Sequence, residues 1–307
     1  MSRRMSQYSD LDFTPTDRNS SWTKIFNFIP EKSEVLDIGC SSGNFGAALI
    51  EYKNCIVDGL DYNPQDVKAA RKVLRQAWVS DIEQDDLKKI VAGTKYDAII
   101  MADVIEHLVD PVTALRGVKK LLKPNGFLAF SVPNMAHTWV RLSLLKGEFT
   151  HTDTGLLDKT HIHFYDVKEL ERVLDEAGFA LERYDSTVVN IPRKMVRDRL
   201  SELGLGAEER FFDYLNDSLG HIYQFVGKVV AKPPGQVAVQ TSHENLAITR
   251  SPAEDVHLYL SDLDRMWRDR EIELLHQLRW RRPFKTARKV ASKTKRRITT
   301  ERKKPKK

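Results

Sequence analysis

Residues 37–43 (DIGCSSG) place an acid and two glycines at a spacing that suits the binding of a small ligand. The apolar run around Asp37 predicts a β-strand, and the pattern from Ala47 onward predicts a helix. The glycines between them form a tight turn in which a ligand can approach the backbone closely. The stretch therefore predicts a binding loop at the carboxyl end of a strand.

A second acid, Asp61, lies eighteen residues after Gly43, at the end of the apolar run 55–60. An acid at the tip of a second strand is placed to hold ribose hydroxyls, so the pair predicts a nucleoside cofactor. The glycine spacing is G-x-x-x-G-x-x-G, not the dinucleotide pattern G-x-G-x-x-G. A pyrophosphate prefers bare amides at a helix N-terminus, whereas Asp37 suits a ligand that carries positive charge.

The loop resembles the first motif of the class I S-adenosylmethionine-dependent methyltransferases, [ED]-x-G-x-G-x-G, with Ser41 in place of the middle glycine. This resemblance implies S-adenosylmethionine as the cofactor, and its ammonium and sulfonium groups carry the positive charge. It also implies cofactor contacts from residues at four strand ends, namely Asp37, Gly39, Cys40, Gly43, Asp61, Tyr62, Asp81, Ile82, Ala102 and Asp103.

Two stretches match later motifs of this family. Asp81 and Ile82 follow the third predicted strand and resemble the adenine site, where an Asp accepts a hydrogen bond from the adenine amino group. Residues 102–108 (ADVIEHL) resemble the fourth motif of small-molecule members, which faces the methionine part of the cofactor and the acceptor. Methyltransferases that act on amino groups of nucleic-acid bases often have N-P-P-Y here instead, so a base acceptor is disfavoured.

Residues 150–165, which we call the acceptor-side segment, are dense in His, Asp and Thr. They resemble methyltransferases that accompany bacterial surface-polysaccharide synthesis, in which G-L-[LF]-D-[RK]-T-H-x-[RH]-F-[FY] recurs at this place. The resemblance implies a sugar or other hydroxyl acceptor. Such a hydroxyl benefits from a base that takes its proton as the methyl group arrives.

The candidate bases are His161 and His163, followed by Asp103 and His107. Other interpretations stay open: a lid turn whose polar groups bond each other, and a helix-start His107 with a structural role. His161 and His163 alternate along an extended chain and point the same way, as metal ligands do. No convincing acidic pair accompanies them, so no metal site is predicted.

Strand and helix patterns alternate along most of the chain, which predicts an α/β fold. The expected sheet is doubly wound, seven-stranded and mostly parallel, and the resemblance implies an antiparallel last strand. The predicted strands cover residues 35–38, 56–60, 77–79, 96–101, 127–132, 181–189 and 223–231, and the predicted helices 22–29, 47–52, 64–74, 111–122 and 167–177.

The predicted organisation has a methyltransferase domain at its centre. An N-terminal segment (1–30) precedes this domain (31–232, with an insertion at 190–219), and a linker (233–252), an amphipathic or coiled-coil helix (253–280) and a basic disordered tail (281–307) follow. The apolar stripe over 255–278 approximates a heptad seam and favours a homo-oligomer.

The net charge of +6 conceals a strong asymmetry. Residues 281–307 contain 14 Lys or Arg and one Glu, so the rest of the chain carries a charge of −7. An acidic body makes nucleic acid a less favoured partner. The basic tail instead predicts peripheral contact with an anionic membrane.

The sequence indicates a cytoplasmic protein, since no apolar stretch approaches the length of a membrane span and no apolar run follows the charges of residues 1–6. Its two cysteines, Cys40 and Cys55, lie in predicted buried elements, as in a reducing compartment. The leading hypothesis is methyl transfer to an oxygen of a small molecule or glycan. The alternatives are an RNA or protein methyltransferase guided by the tail, and a non-catalytic scaffold at a membrane.

Overall fold

Seven strands make up the sheet in a computed structural model, which describes residue 13 and residues 15–204 and 220–232. The strands are β1 (Glu34–Ile38), β2 (Ile56–Asp61), β3 (Gln76–Val79), β4 (Tyr96–Ala102), β5 (Leu122–Pro133), β6 (Phe179–Val188) and β7 (Ile222–Ala231). Their order across the sheet is β3-β2-β1-β4-β5-β7-β6.

The first five strands pair in parallel, and β7 runs antiparallel between β5 and β6. The predicted α/β fold with a mostly parallel, seven-stranded sheet is therefore confirmed. β1 and β4 are neighbours, and from this pair the chain builds the sheet outward in opposite directions, through β2 and β3 on one side and β5 on the other. Ligands of open α/β sheets bind outside the carboxyl ends of the strands at such a reversal.

The described residues contain eight α-helices in addition to this sheet. They are α1 (Ser21–Phe28), α2 (Asn44–Lys53), α3 (Pro64–Ala70), α4 (Leu87–Ile90), α5 (Pro111–Lys119), α6 (Thr138–Leu145), α7 (Val167–Glu176) and α8 (Arg193–Glu202). A 3₁₀ helix, Ile105–His107, follows β4. None of the described helices has the length and apolar character needed to cross a membrane.

Side-chain caps fix where α3, α5 and α7 begin. Asn63 accepts a hydrogen bond from Gln65 N at 3.0 Å, and Asp110 accepts one from Thr113 N at 3.0 Å. Proline occupies the first turn of both helices, where its missing N–H costs nothing. Asp166 caps α7 through Glu169 N at 2.8 Å. These caps each satisfy one free backbone amide and place the preceding loops at the carboxyl edge of the sheet.

The inner strands are buried on both faces, which is why they read as continuous apolar runs. Near their amino ends, the buried carboxylate of Asp58 accepts hydrogen bonds from Tyr96 Oη at 2.9 Å and from Arg75 Nε at 2.8 Å. Arg75 also bonds Glu34 at 3.0 Å. This network joins β1, β2 and β4 at the end of the sheet opposite their carboxyl tips.

Three helices differ from the sequence prediction, since α4, α6 and α8 were not expected and α8 lies in the predicted insertion. The predicted turn at residues 123–126 lies within β5, where Asn125 has φ +66° and the register with β4 shifts. The linker (233–252), the helix (253–280) and the tail (281–307) fall outside the described residues, as do residues 1–12, 14 and 205–219.

Candidate active site

The glycine loop after β1 is held against the tip of β2. Gly39 has φ +77°, and its amide donates to Leu60 O at 2.8 Å. The turn closes when Gly43 N donates to Cys40 O at 2.8 Å, and Gly43, at φ +86°, precedes α2. The loop therefore ends at a helix N-terminus whose amides face the carboxyl edge of the sheet.

Ser41 adopts φ +47°, in the left-handed region that glycine occupies without strain. Its amide donates to Asp61 Oδ2 at 2.9 Å. A serine here therefore keeps the backbone conformation that the glycine of the resembling motif would have. The departure from that motif changes a side chain and leaves the loop intact.

Asp61 ties the two strand tips together. One carboxylate oxygen accepts the Ser41 amide, and the other accepts Asn63 N at 2.8 Å. Burial raises the pKa of Asp61, and these amide hydrogen bonds lower it. Each carboxylate oxygen has two lone pairs, so both can accept a ribose hydroxyl in addition.

Asp37 is 3% exposed and lies beneath the same loop. Burial, and then the negative charge of Asp61, raises its pKa to about 7. Two acids held together in a desolvated place repel each other and attract a cation. A ligand with ammonium and sulfonium groups therefore suits this site electrostatically.

Other predicted cofactor residues lie at the same edge in different environments. The Cys40 thiol packs against β2, because a Cβ on Gly59 would lie 2.6 Å from the Cys40 sulfur. Burial raises the pKa of this thiol. Cys40 can therefore offer a ligand its backbone only. Tyr62 is 66% exposed beside Asp61, whereas Ala102 is half-buried at the end of β4.

The loop after β3 carries the predicted adenine residues. Asp81 is exposed, and its Oδ1 accepts Glu83 N at 3.0 Å. Its own amide donates to Asp85 Oδ2 at 2.9 Å, which fixes the turn. Ile82 is half-buried beside it. The geometry leaves an exposed carboxylate and an apolar side chain side by side.

Asp103 follows β4 with φ +51°. Its carboxylate accepts Ser131 Oγ at 2.8 Å and Gln224 Nε2 at 2.8 and 2.9 Å. Burial raises its pKa, and these hydrogen bonds lower it. The side chain therefore joins β4 to β5 and β7. Its partners lie far away in the sequence, so motif spacing could not reveal this role.

The acceptor-side segment docks on the 3₁₀ helix through its backbone. Ile162 N and His163 N both donate to Glu106 O, at 3.0 and 3.1 Å. Met135 N donates to Tyr165 O at 2.8 Å, which attaches the end of the segment to the chain after β5. The segment thus lies across the carboxyl ends of β4 and β5.

The two histidines of this segment differ in their environments. His161 is 8% exposed, its Nδ1 lies 3.3 Å from Leu156 O, and burial lowers its pKa. His163 is half-buried, its ring stacks on Tyr165 with centroids 6.0 Å apart, and its Nε2 lies 3.3 Å from Val109 O. Of these two histidines, His163 is the one that combines a fixed ring with access from solvent.

Glu106 is a site residue to which the sequence analysis assigned no role. It is 1% exposed, and its Oε1 lies 3.9 Å from His161 Nε2. Burial raises its pKa well above the usual range, and the charge of Asp103 adds to this effect. The rings of His107 and His161 lie 4.8 Å apart. The only sequence signal was its place between Ile105 and His107 in the fourth motif.

Comparison with known proteins finds that residues 16–184 match a family model described as a methyltransferase domain. One curated relative is a ubiquinone biosynthesis O-methyltransferase of Histophilus somni (strain 2336), 33% identical over 130 residues, or 40% of this chain and 54% of that protein. Another, of the same name, is from Xanthomonas axonopodis pv. citri (strain 306). It is 29% identical over 159 residues, or 50% of this chain and 65% of that protein. The chain spans about half the length of the curated relatives that it matches.

Solved structures show a similar arrangement. One is a SAM-dependent methyltransferase from Archaeoglobus fulgidus, with 14% identity and a TM-score of 0.47 over 70% of this chain and 94% of that one. Another, from Thermotoga maritima, is described as a SAM-dependent methyltransferase and possible histamine N-methyltransferase. It has 19% identity and a TM-score of 0.46 over 69% of this chain and 88% of that one.

Proposed function

The chain belongs to the methyltransferase domain family, and we propose that it transfers a methyl group from S-adenosylmethionine to an oxygen of a small molecule or glycan. The membership confirms the resemblance to class I S-adenosylmethionine-dependent methyltransferases, and with it the predicted type of enzyme and cofactor. The observation that carries the proposal is the glycine loop clamped to Asp61 above the buried Asp37.

The cofactor contacts that we propose follow from this edge of the sheet. The Asp61 carboxylate accepts the ribose hydroxyls, and Asp81 and Ile82 hold the adenine. Asp37 supplies negative charge near the methionine part, which is cationic. Gly39 and Gly43, with Cys40 between them, let the cofactor lie against backbone atoms, and Tyr62, Ala102 and Asp103 complete the lining.

The acceptor atom that we propose is an oxygen. The name of these relatives, ubiquinone biosynthesis O-methyltransferase, supports an oxygen and favours a small molecule over a glycan. The resemblance of the acceptor-side segment to enzymes of surface-polysaccharide synthesis supports a sugar hydroxyl as the second class. The acidic body of the chain makes RNA a weaker candidate.

His163 is the base in this proposal. A backbone carbonyl can only accept, so the contact of Nε2 with Val109 O fixes the proton on Nε2 and leaves the lone pair on Nδ1. Nδ1 would take the proton from the acceptor hydroxyl as that oxygen receives the methyl group, which bound S-adenosylmethionine would supply from its sulfonium. Asp103 acts as a positioning residue, since its carboxylate is bonded to Ser131 and Gln224.

The cofactor supplies an already activated methyl group, so the protein's larger task is alignment and the exclusion of water. The acceptor-side segment serves this task because it closes over the ends of β4 and β5. We also propose, from their charge, that residues 281–307 hold the protein at an anionic membrane surface. From their apolar stripe, we propose that residues 255–278 mediate self-association.

Calorimetry with S-adenosylmethionine tests the cofactor site. Asp61→Ala is expected to weaken binding at least about tenfold, because a charged hydrogen bond contributes roughly 1.5–3 kcal/mol. Asp198→Ala, on the exposed surface of α8, is the matched control and should bind as the wild type does. No binding by the wild type, or equal affinity in all three proteins, would contradict the proposal.

Single-turnover methylation tests the base and the acceptor class. Catechol serves as the phenol probe and methyl glucoside as the sugar probe. His163→Gln is expected to lower the rate by about 10²–10⁴, and His151→Gln, an exposed residue of the same segment, should leave it unchanged. An unchanged rate for His163→Gln would remove this side chain from the mechanism.

A further inference from the structure

Glu106 is a buried carboxyl group without a hydrogen-bond partner. It is 1% exposed, and neither of its side-chain oxygens is bonded to any described residue. A buried carboxylate is costly unless it is paired, protonated or bound to a metal. Both side-chain oxygens of Glu106 are therefore available to bind a positive partner.

The rings of His107 and His161, next to Glu106, each have one nitrogen available to bind a metal ion. His107 Nδ1 lies 3.0 Å from Thr160 O, and His161 Nδ1 lies 3.3 Å from Leu156 O. Because a carbonyl only accepts, both Nδ1 atoms carry the proton, and both Nε2 atoms keep a lone pair. Metal-binding histidines are oriented in this way, with the second ring N–H donated to a carbonyl or carboxylate.

The spacing of the three side chains suits one ion. One ligand atom from each of Glu106, His107 and His161 lies within 4.8 Å of the others. Tetrahedral ligands at about 2.1 Å from zinc lie about 3.4 Å from each other. Glu106 Oε1 and His161 Nε2 lie 3.9 Å apart, so small side-chain rotations bring the three ligand atoms to this spacing.

The backbone holds this cluster together. Glu106 and His107 lie on the 3₁₀ helix after β4, and His161 lies on the acceptor-side segment. The amides of Ile162 and His163 donate to Glu106 O, so the two pieces of chain cannot separate without breaking both bonds. The cluster is therefore built from a rigid junction rather than from mobile surface side chains.

We propose that Glu106, His107 and His161 form a binding site for a divalent transition-metal ion, which clamps the acceptor-side segment to the end of β4. Two imidazoles and one carboxylate suit Zn²⁺ and its neighbours in the first transition row better than Mg²⁺ or Ca²⁺, which prefer oxygen ligands. Three protein ligands leave at least one coordination position for water or another oxygen ligand. In this site the other ligands beside His161 are Glu106 and His107, whereas the sequence pattern had suggested His163 as its partner.

Titration of the full-length protein with Co²⁺, after treatment with a chelator, tests the site through visible absorption. The wild type should bind one equivalent with the absorption bands of a protein-bound ion, and Zn²⁺ should displace it. Glu106→Gln and His161→Gln should each weaken binding by more than the roughly 10- to 100-fold that loss of an outer-shell partner costs. Thermal unfolding with and without the metal provides a second measurement, since only a folded site gains stability from it.

Two matched variants separate this proposal from the methyl-transfer mechanism. His151→Gln and His163→Gln should both keep wild-type Co²⁺ affinity, although His163→Gln loses methyl transfer. The metal proposal is overturned if the wild type binds no Co²⁺, or if Glu106→Gln and His161→Gln bind it as tightly as the wild type. Because the metal alone is the probe, neither result depends on the acceptor or on turnover.

Discussion

Asp37 shows how a binding site can work against the stability of the fold. Its pKa is raised to about 7 in the folded chain from 3.8, chiefly by burial. The folded state therefore holds this proton over a range in which the unfolded state has lost it. Stability from this group is present below about pH 4 and falls as the pH rises towards 7.

Asp37→Asn should therefore stabilise the protein at pH 8 and leave it nearly unchanged at pH 4. A pKa difference of about three units sets an upper limit of about 4 kcal/mol on the gain. The same change removes the charge that attracts the cationic cofactor. We expect a higher free energy of unfolding at pH 8, measured by denaturant titration, together with weaker binding of S-adenosylmethionine. A variant that gains no stability yet binds normally would refute this account of Asp37.

Ser41 shows that a residue outside the consensus of a motif can still provide the backbone conformation that the motif requires. A consensus of residue types would reject the loop at this position, yet the backbone angle of φ +47° is the one that a glycine would provide. The hydrogen bond from its amide to Asp61 compensates for part of the conformational cost. Backbone conformation, not residue identity, is what the cofactor loop requires.

At the scale of elements, the close contact between the loops after β1 and β4 determines what the site tolerates. A Cβ on Gly39 would lie 2.7 Å from Val104 Cγ2, and the φ of +77° adds strain. Gly93 has nearly the same φ, +76°, with nothing within 4 Å of its Cβ position. The two glycines therefore separate backbone strain from steric clash.

Gly39→Ala and Gly93→Ala should each lose about 1 kcal/mol of stability from the left-handed backbone. Only Gly39→Ala should also lose affinity for S-adenosylmethionine, because the loop must move away from Val104. Adding Val104→Ala removes the clashing methyl group and should restore part of that affinity. Affinities come from calorimetry and stabilities from denaturant titration. Equal loss of affinity in both single variants would show that strain, not the clash, is responsible.

The sheet was predictable from sequence because its inner strands are buried on both faces and read as apolar runs bounded by turns. The helices α6 and α8 were not, since much of their burial comes from each other: Leu142 packs with Val196 and Leu200 in a small separate cluster. The cofactor loop and Asp61 were predictable because a local motif encodes them. The role of Glu106 was not predictable, because Glu106 and His161 lie far apart in the sequence and come together only in the fold.

At the scale of the whole molecule, charge is divided between the body and one end of the chain. Buried acids gather at the carboxyl edge of the sheet, among them Asp37, Asp61 and Glu106. The positive charge is concentrated in residues 281–307, which carry +13. We therefore expect nucleic acid to be a less favoured partner of this acidic part of the chain.

The basic segment leads to a prediction about membrane contact. Lys and Arg near an anionic membrane contribute about 1 kcal/mol each, so part of a +13 segment is enough for attachment. Full-length protein should pellet with vesicles that contain phosphatidylserine and stay in solution with vesicles of phosphatidylcholine alone. Raising the salt to about 1 M shortens the screening length to about 3 Å and should release it.

Two truncations locate the effect. A chain that ends at residue 280 should lose vesicle binding, and a chain that ends at residue 252 should behave in the same way, because both lack residues 281–307. Both should retain affinity for S-adenosylmethionine, since β7 ends at Ala231 and the cofactor loop lies far upstream. Equal pelleting of the shortened chains, or much tighter binding of RNA than of vesicles by the full chain, would overturn the membrane assignment and make RNA the partner of these residues.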